Sequence, residues 1–170
     1  MKTILRILAV AWIAMFVAAL VARRRLVSRG EPDDDTVDLV GIMNGFELAS
    51  RATAFRGGTI LGWFGGGTLD LRGATLHEDG GRLEVRALFG GARIVVPPTW
   101  PVEPRVTAIF GGVGDTRDAT AEPSGPTLVI DGWAAFGGVS IVSEAPDLDL
   151  GAAPGPDLDE VEPASSATGG

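Results

Sequence analysis

From Val37 onward the chain alternates apolar and polar positions with a period of two, and the alternating runs end on an aromatic followed by glycine. Stepping back by twos from Phe89 gives Ala87, Val85 and Leu83, with Arg86 and Glu84 between them. The same steps from Phe136 give Ala134, Gly132, Ile130 and Leu128, and from Met43 they give Gly41, Leu39 and Val37. That period marks a strand with one buried face. Five positions after the aromatic (or Met43) stands Leu48, Ile60, Leu69, Ile94 or Ile141; the Phe110 copy carries Asp115 instead. Each unit therefore predicts a strand, a glycine bend and a second strand. Strands are expected over 37–43, 46–48, 59–64, 68–71, 82–89, 93–96, 106–110, 127–130, 134–136 and 140–142. Turn residues separate them at 78–81, 97–101 and 116–126, the last read as a surface excursion of one coil.

The units are copies of one phrase. Ala87-Leu88-Phe89-Gly90-Gly91, Ala108-Ile109-Phe110-Gly111-Gly112 and Ala134-Ala135-Phe136-Gly137-Gly138 are the clearest. Gly62-Trp63-Phe64-Gly65-Gly66 is an earlier copy, and Phe55, followed by Arg56 and Gly57, reads as another. From Phe64 on, the aromatics recur at about twenty to twenty-six residues, the range of solenoid coils. The expected fold is all-β: a β-solenoid or β-helix-like domain over 37–143 whose stacked coils bury what one coil cannot. The stacked phenylalanines are expected as an internal column, with small neighbours making room. Glycine suits the bends because it accepts positive φ and lets backbones approach closely.

One segment has a different pattern. Ile4 to Ala22 is apolar apart from Arg6 and is followed by Arg23, Arg24 and Arg25. It predicts one transmembrane helix within an anchor region, 1–27, rather than a cleaved signal peptide, since Leu20-Val21-Ala22 lacks a clear small-x-small cleavage signal. The basic cluster places the rest of the chain in the cytoplasm, as in a single-pass protein. Residues 28–36, with Gly30, Pro32 and Asp33-Asp34-Asp35, read as an acidic linker. Residues 144–170 are alanine, proline, glycine, serine and acid, and are expected to be disordered.

Composition narrows the chemistry. The 170 residues carry a net charge of −8, which argues against nucleic acid as a partner. There is no cysteine, and His77 is the single histidine, a turn residue beside Glu78 and Asp79. No Gly-Lys-Ser/Thr follows the glycines, so a phosphate loop is not expected. Asp70, Glu84, Asp115 and Asp131 could suggest a carbohydrate-cleaving groove, but they alternate with Arg72, Arg82, Arg86 and Arg93 as paired surface charge would. The expectation is a non-enzyme with no cofactor and no metal.

The repeated Ala-x-Phe-Gly-Gly phrase, with Phe89-Gly90-Gly91-Ala92-Arg93-Ile94-Val95-Val96-Pro97-Pro98-Thr99-Trp100 between two copies, resembles the C-terminal domain of LiaF-like proteins. These are bacterial cell-wall-active antibiotic response proteins, and the resemblance covers roughly 37–142. It implies an N-terminal membrane region, a β-solenoid-like domain and control of a sensor kinase and response regulator pair in envelope stress. The chain departs from the best known member in having one apolar segment and an acidic tail. The function expected is a non-enzymatic, membrane-anchored interaction module whose protein partner is a sensor kinase. The alternative is a self-associating β-solenoid scaffold at the membrane.

Overall fold

The computed structural model describes residues 2–26, 28–117 and 122–144. It is mostly β: two parallel sheets and one N-terminal apolar helix. The helix is α1 (Lys2–Arg25). The strands are β1 (Thr36–Ile42), β2 (Gly45–Ala49), β3 (Gly57–Trp63), β4 (Gly66–Asp70), β5 (Gly81–Leu88), β6 (Gly91–Val96), β7 (Val102–Ile109), β8 (Gly112–Thr116), β9 (Leu128–Ala135) and β10 (Gly138–Ser143). The expected acidic tail lies outside the described residues apart from Glu144, as do residues 118–121 of the 116–126 turn.

One sheet runs β1-β3-β5-β9-β7 and the other β2-β4-β6-β10-β8, every pair parallel. Each strand–bend–strand unit gives one strand to each sheet, so the units lie rung on rung. They are not in chain order. The last unit, β9 and β10, inserts between β5–β6 and β7–β8. The 97–101 turn therefore steps over a rung, and the segment after β8 returns to fill it. The short predicted strands at 127–130 and 134–136 are one strand, β9, running through Gly132. Strand β8 is absent from the strands that alternation predicts, because Asp115 breaks its apolar pattern.

The core lies between the sheets. Leu83, Val85 and Ala87 of β5 are buried, as are Ile130 and Ala134 of β9 and Ile94 and Ile141 opposite them. The expected aliphatic column is in register: Leu48, Leu69, Ile94 and Ile141 align across β2, β4, β6 and β10, with Asp115 closing it on β8.

Phe55 belongs to none of the bends. It is fully buried in the core and bridges Leu76. Ile60, five residues on, pairs with Leu39 and Val85 in the first sheet, so it is not in the Leu48 column.

Residues 28–36 are held to the stack. Arg29 and Asp38 exchange backbone hydrogen bonds at 2.7 and 2.6 Å, and Val40 N–H donates to Ser28 Oγ at 2.9 Å. Glu31 N–H donates to the Asp34 carboxylate at 2.8 Å, and Pro32 O accepts from Arg51 N–H. The outer edge of β1 is thus partly covered by the chain's own approach.

Candidate functional site

The bends carry the most distinctive feature. Met43, Phe64, Phe89, Phe110 and Phe136 all have positive φ, between 51° and 55°. An L-residue there pays about 1–2 kcal/mol against its right-handed counterpart. The twist turns each ring away from the core. The phenylalanines therefore form a column, but an external one, and this corrects the expectation of an internal stack. In spatial order the rings are Phe64, Phe89, Phe136 and Phe110. Successive centroids are 5.0, 4.7 and 5.1 Å apart and the planes lie within 13° of parallel. The spacing follows the strand separation of about 4.8 Å, so the sheet ladder sets it. Phe110, at the end, is 78% exposed, and Phe136 is 50% exposed.

The small residues beside the rings have a different reason from the one expected. Ala87 and Ala134 face inward, where the two sheets converge at the bend. The glycine pairs serve close stacking more than positive φ. A Cβ on Gly90 would overlap the carbonyl oxygen of Gly65, one on Gly137 that of Gly90, and one on Gly111 that of Gly137. Gly66, Gly91 and Gly138 are confined in the same way by the next rung, whereas Gly112, at the end, has open space.

A second apolar column runs beside the rings. Ile42, Trp63, Leu88, Ala135 and Ile109 precede the five bend residues and are in register with one another. They occupy outward positions of the first sheet. The signal is present in the sequence: each strand ends on two consecutive apolar residues, which breaks the period of two.

Helix α1 lies on this strip. The Trp12 ring is 5.9 Å from Phe64 and 6.1 Å from Phe89. Ala19 is fully buried, and Met15 and Ala22 are half-buried, so one face of α1 (12, 15, 19, 22) meets the stack. Ile42, on the outer side of β1, is buried as well. The opposite face of α1, with Val10, Ile13 and Val17, is exposed, as are Ile4 and Ile7 in its first turns. By length and composition α1 can cross a membrane.

The carboxylates considered for chemistry are engaged by arginine. Asp70 accepts from Arg72 Nε and Nη2 at 3.0 and 2.7 Å, and Asp115 accepts from Arg117 at 2.8 and 2.7 Å. Burial would raise the Asp70 pKa, but the hydrogen bonds and charge of Arg72 together hold it below the ordinary carboxylate value. The Arg117 hydrogen bond lowers that of Asp115 against a smaller opposing effect of burial, and Asp115 in turn raises Arg117. Glu84 pairs with Arg86, Asp131 with Arg82, and Glu144 with Arg93. Three of these pairs join residues two apart, Glu84–Arg86 within β5 and Asp70–Arg72 and Asp115–Arg117 at the ends of β4 and β8. His77 Nδ1 accepts from Asp79 N–H at 3.2 Å, and Nε2 lies 2.5 Å from Arg56 Nη2, which makes it part of the turn before β5. Among the described residues no group of three or more His, Asp or Glu is placed to hold a metal ion.

The site residues named from sequence thus divide. Phe64, Phe89, Phe110 and Phe136 converge on one ladder, their glycines pack beneath it, and Phe55 lies apart in the core. No family profile, curated protein or solved structure matches the chain.

Proposed function

We propose that the protein is a single-pass, membrane-anchored interaction module of the LiaF-like kind, acting through surface contact rather than turnover of a substrate. In this reading α1 leaves its seat on the rings to span the cell membrane, and the two sheets are the walls of a short β-solenoid in the cytoplasm. Its partner there is a signalling protein of the envelope-stress type, such as a sensor kinase. The observation that carries the reading is the join between α1 and the stack. Only Leu26 and Val27 separate the helix from Ser28, which already bonds to β1. A rigid, ion-paired platform is thereby held at the membrane surface.

Reporter fusions at each terminus, combined with crosslinking in membranes, test this. The expected result is a C-terminal reporter active only on the cytoplasmic side and a sensor protein recovered by crosslinking. A C-terminus on the outer side overturns the topology, and recovery of no protein partner after crosslinking overturns the module.

A self-stacking scaffold is the second reading, favoured by β8, whose residues are all exposed along a free edge. Two features weigh against it. Pro104 in β7 has no N–H to offer a further strand, and Asp115 puts a charge where the other rungs have an aliphatic. Both are devices by which edge strands resist pairing.

A further inference from the structure

The strip of rings is longer than the helix contact on it. Trp12 reaches Phe64 and Phe89, while Phe136 and Phe110 continue the same stack and stand exposed. Ile109, beside Phe110, is also 50% exposed. This surface needs an occupant, and the chain's own attachment narrows the choice. From Arg25 to Ser28 there are three chain steps of at most about 3.8 Å each. The first rung is therefore fixed close to wherever α1 meets lipid.

We infer that the aromatic strip is a lipid-contacting surface, and that the stack lies along the bilayer with Phe136 and Phe110 at the boundary of headgroups and hydrocarbon. The inference rests on the anchor reading of α1. If α1 stays on the strip, Phe136, Phe110 and Ile109 still stand exposed beyond its contact. If α1 leaves the strip to span the bilayer, all four rings are bared beside the membrane. Aromatic rings favour that boundary, where an apolar face and a polar layer meet. Arg23, Arg24 and Arg25 at the helix end suit anionic headgroups in the same plane.

The absence of cysteine makes a direct test clean. Single variants Phe110→Cys and Phe136→Cys of the full chain carry a nitroxide label and are reconstituted in phosphatidylcholine–phosphatidylglycerol vesicles. Asp79→Cys is the reference; it lies at the far end of β5, a strand's length from the rings. Both positions on the strip are exposed, so the fold tolerates the label. The expected result is a severalfold higher ratio of oxygen to nickel-chelate collision at 110 and 136 than at 79. An alkaline wash of the same vesicles reports α1 separately. Protein retained after the wash with an aqueous ratio at 110 and 136 overturns the lipid-contacting strip and leaves the anchor standing. Dipolar broadening at 110 that disappears on dilution with unlabelled chain also overturns it, assigning the strip to a second copy. Protein lost in the wash overturns both.

Discussion

At the scale of single residues, the decisive angle is φ at Phe89 and its equivalents. Alternation correctly places Leu83, Val85 and Ala87 inside, then carries the count one step too far and places Phe89 inside as well. A period of two holds only while the backbone stays extended. At φ 53° the strand has ended, and the ring turns out. The charged positions suffer no such break, so Glu84, Arg86, Asp70 and Arg72 are paired outside as their spacing suggests. The glycine below each ring is more constrained than its neighbours at the stack end. Gly90→Ala forces a methyl into the Gly65 carbonyl and should cost about 3 kcal/mol or more. Gly114→Ala, with nothing near its missing Cβ, should stay within about 0.5 kcal/mol of the parent. Denaturant titration of the two variants in detergent checks the contrast. The ion pairs predict an acid response. Asp70 and Asp115 have folded pKa values below their unfolded ones, so their contribution is present above the unfolded value of about 3.9 and is lost as pH falls through the folded values. Thermal melting followed from about pH 6 to about pH 2 should show a fall that is smaller in the Asp70→Asn, Asp115→Asn double variant.

At the scale of elements, β8 shows why a strand can escape a sequence reading yet form. It has two glycines and Asp115 where its counterparts have Ile94 and Ile141, so neither propensity nor alternation marks it. Register does: Gly112 to Thr116 pair with β10 residue by residue, continuing from the bend that Phe110 sets. The strand exists because its neighbour supplies the ladder. Its charge also protects the edge. Asp115→Ile would complete the aliphatic column and remove the carboxylate that Arg117 binds. The expected outcome is a shift of the detergent-solubilised chain from its parental sedimentation to larger species, read by analytical ultracentrifugation. Unchanged sedimentation would mean that Pro104 alone suffices to block the edge. Helix α1 is the opposite case. Its existence and its length are plain from the apolar run of residues 4–22, but its seat on the rings is not, because Trp12 is one apolar residue among many until the ladder is known.

At the scale of the whole molecule, the order of the rungs is what repeat spacing alone cannot give. Recurrence of one phrase along the chain suggests that coils stack as they are made, yet β9 separates β5 from β7. The reason is in the composition of the two late units. A proline inside a central strand leaves one ladder without its donor, so Pro104 confines β7 to an edge. Asp115, a charge at the end of an aliphatic column, confines β8 in the same way. The unit of β9 and β10 has neither restriction, and its Leu128, Ile130, Val139 and Ile141 need cover on both sides. Gly132, at φ 121°, fits over the Val85 carbonyl, where any Cβ would collide. Packing therefore favours the late unit in the interior and the earlier one at the end. Strands β7 and β8 accordingly have no native partner until β9 and β10 arrive. A chain shortened after Arg117 should lose amide protection across 102–116 while β1 to β4 keep theirs, as hydrogen exchange with mass spectrometry would read. Protection of 102–116 in that shortened chain would mean that β7 can lie directly on β5, and the interior place of β9 would then be a preference of stability rather than a requirement of pairing.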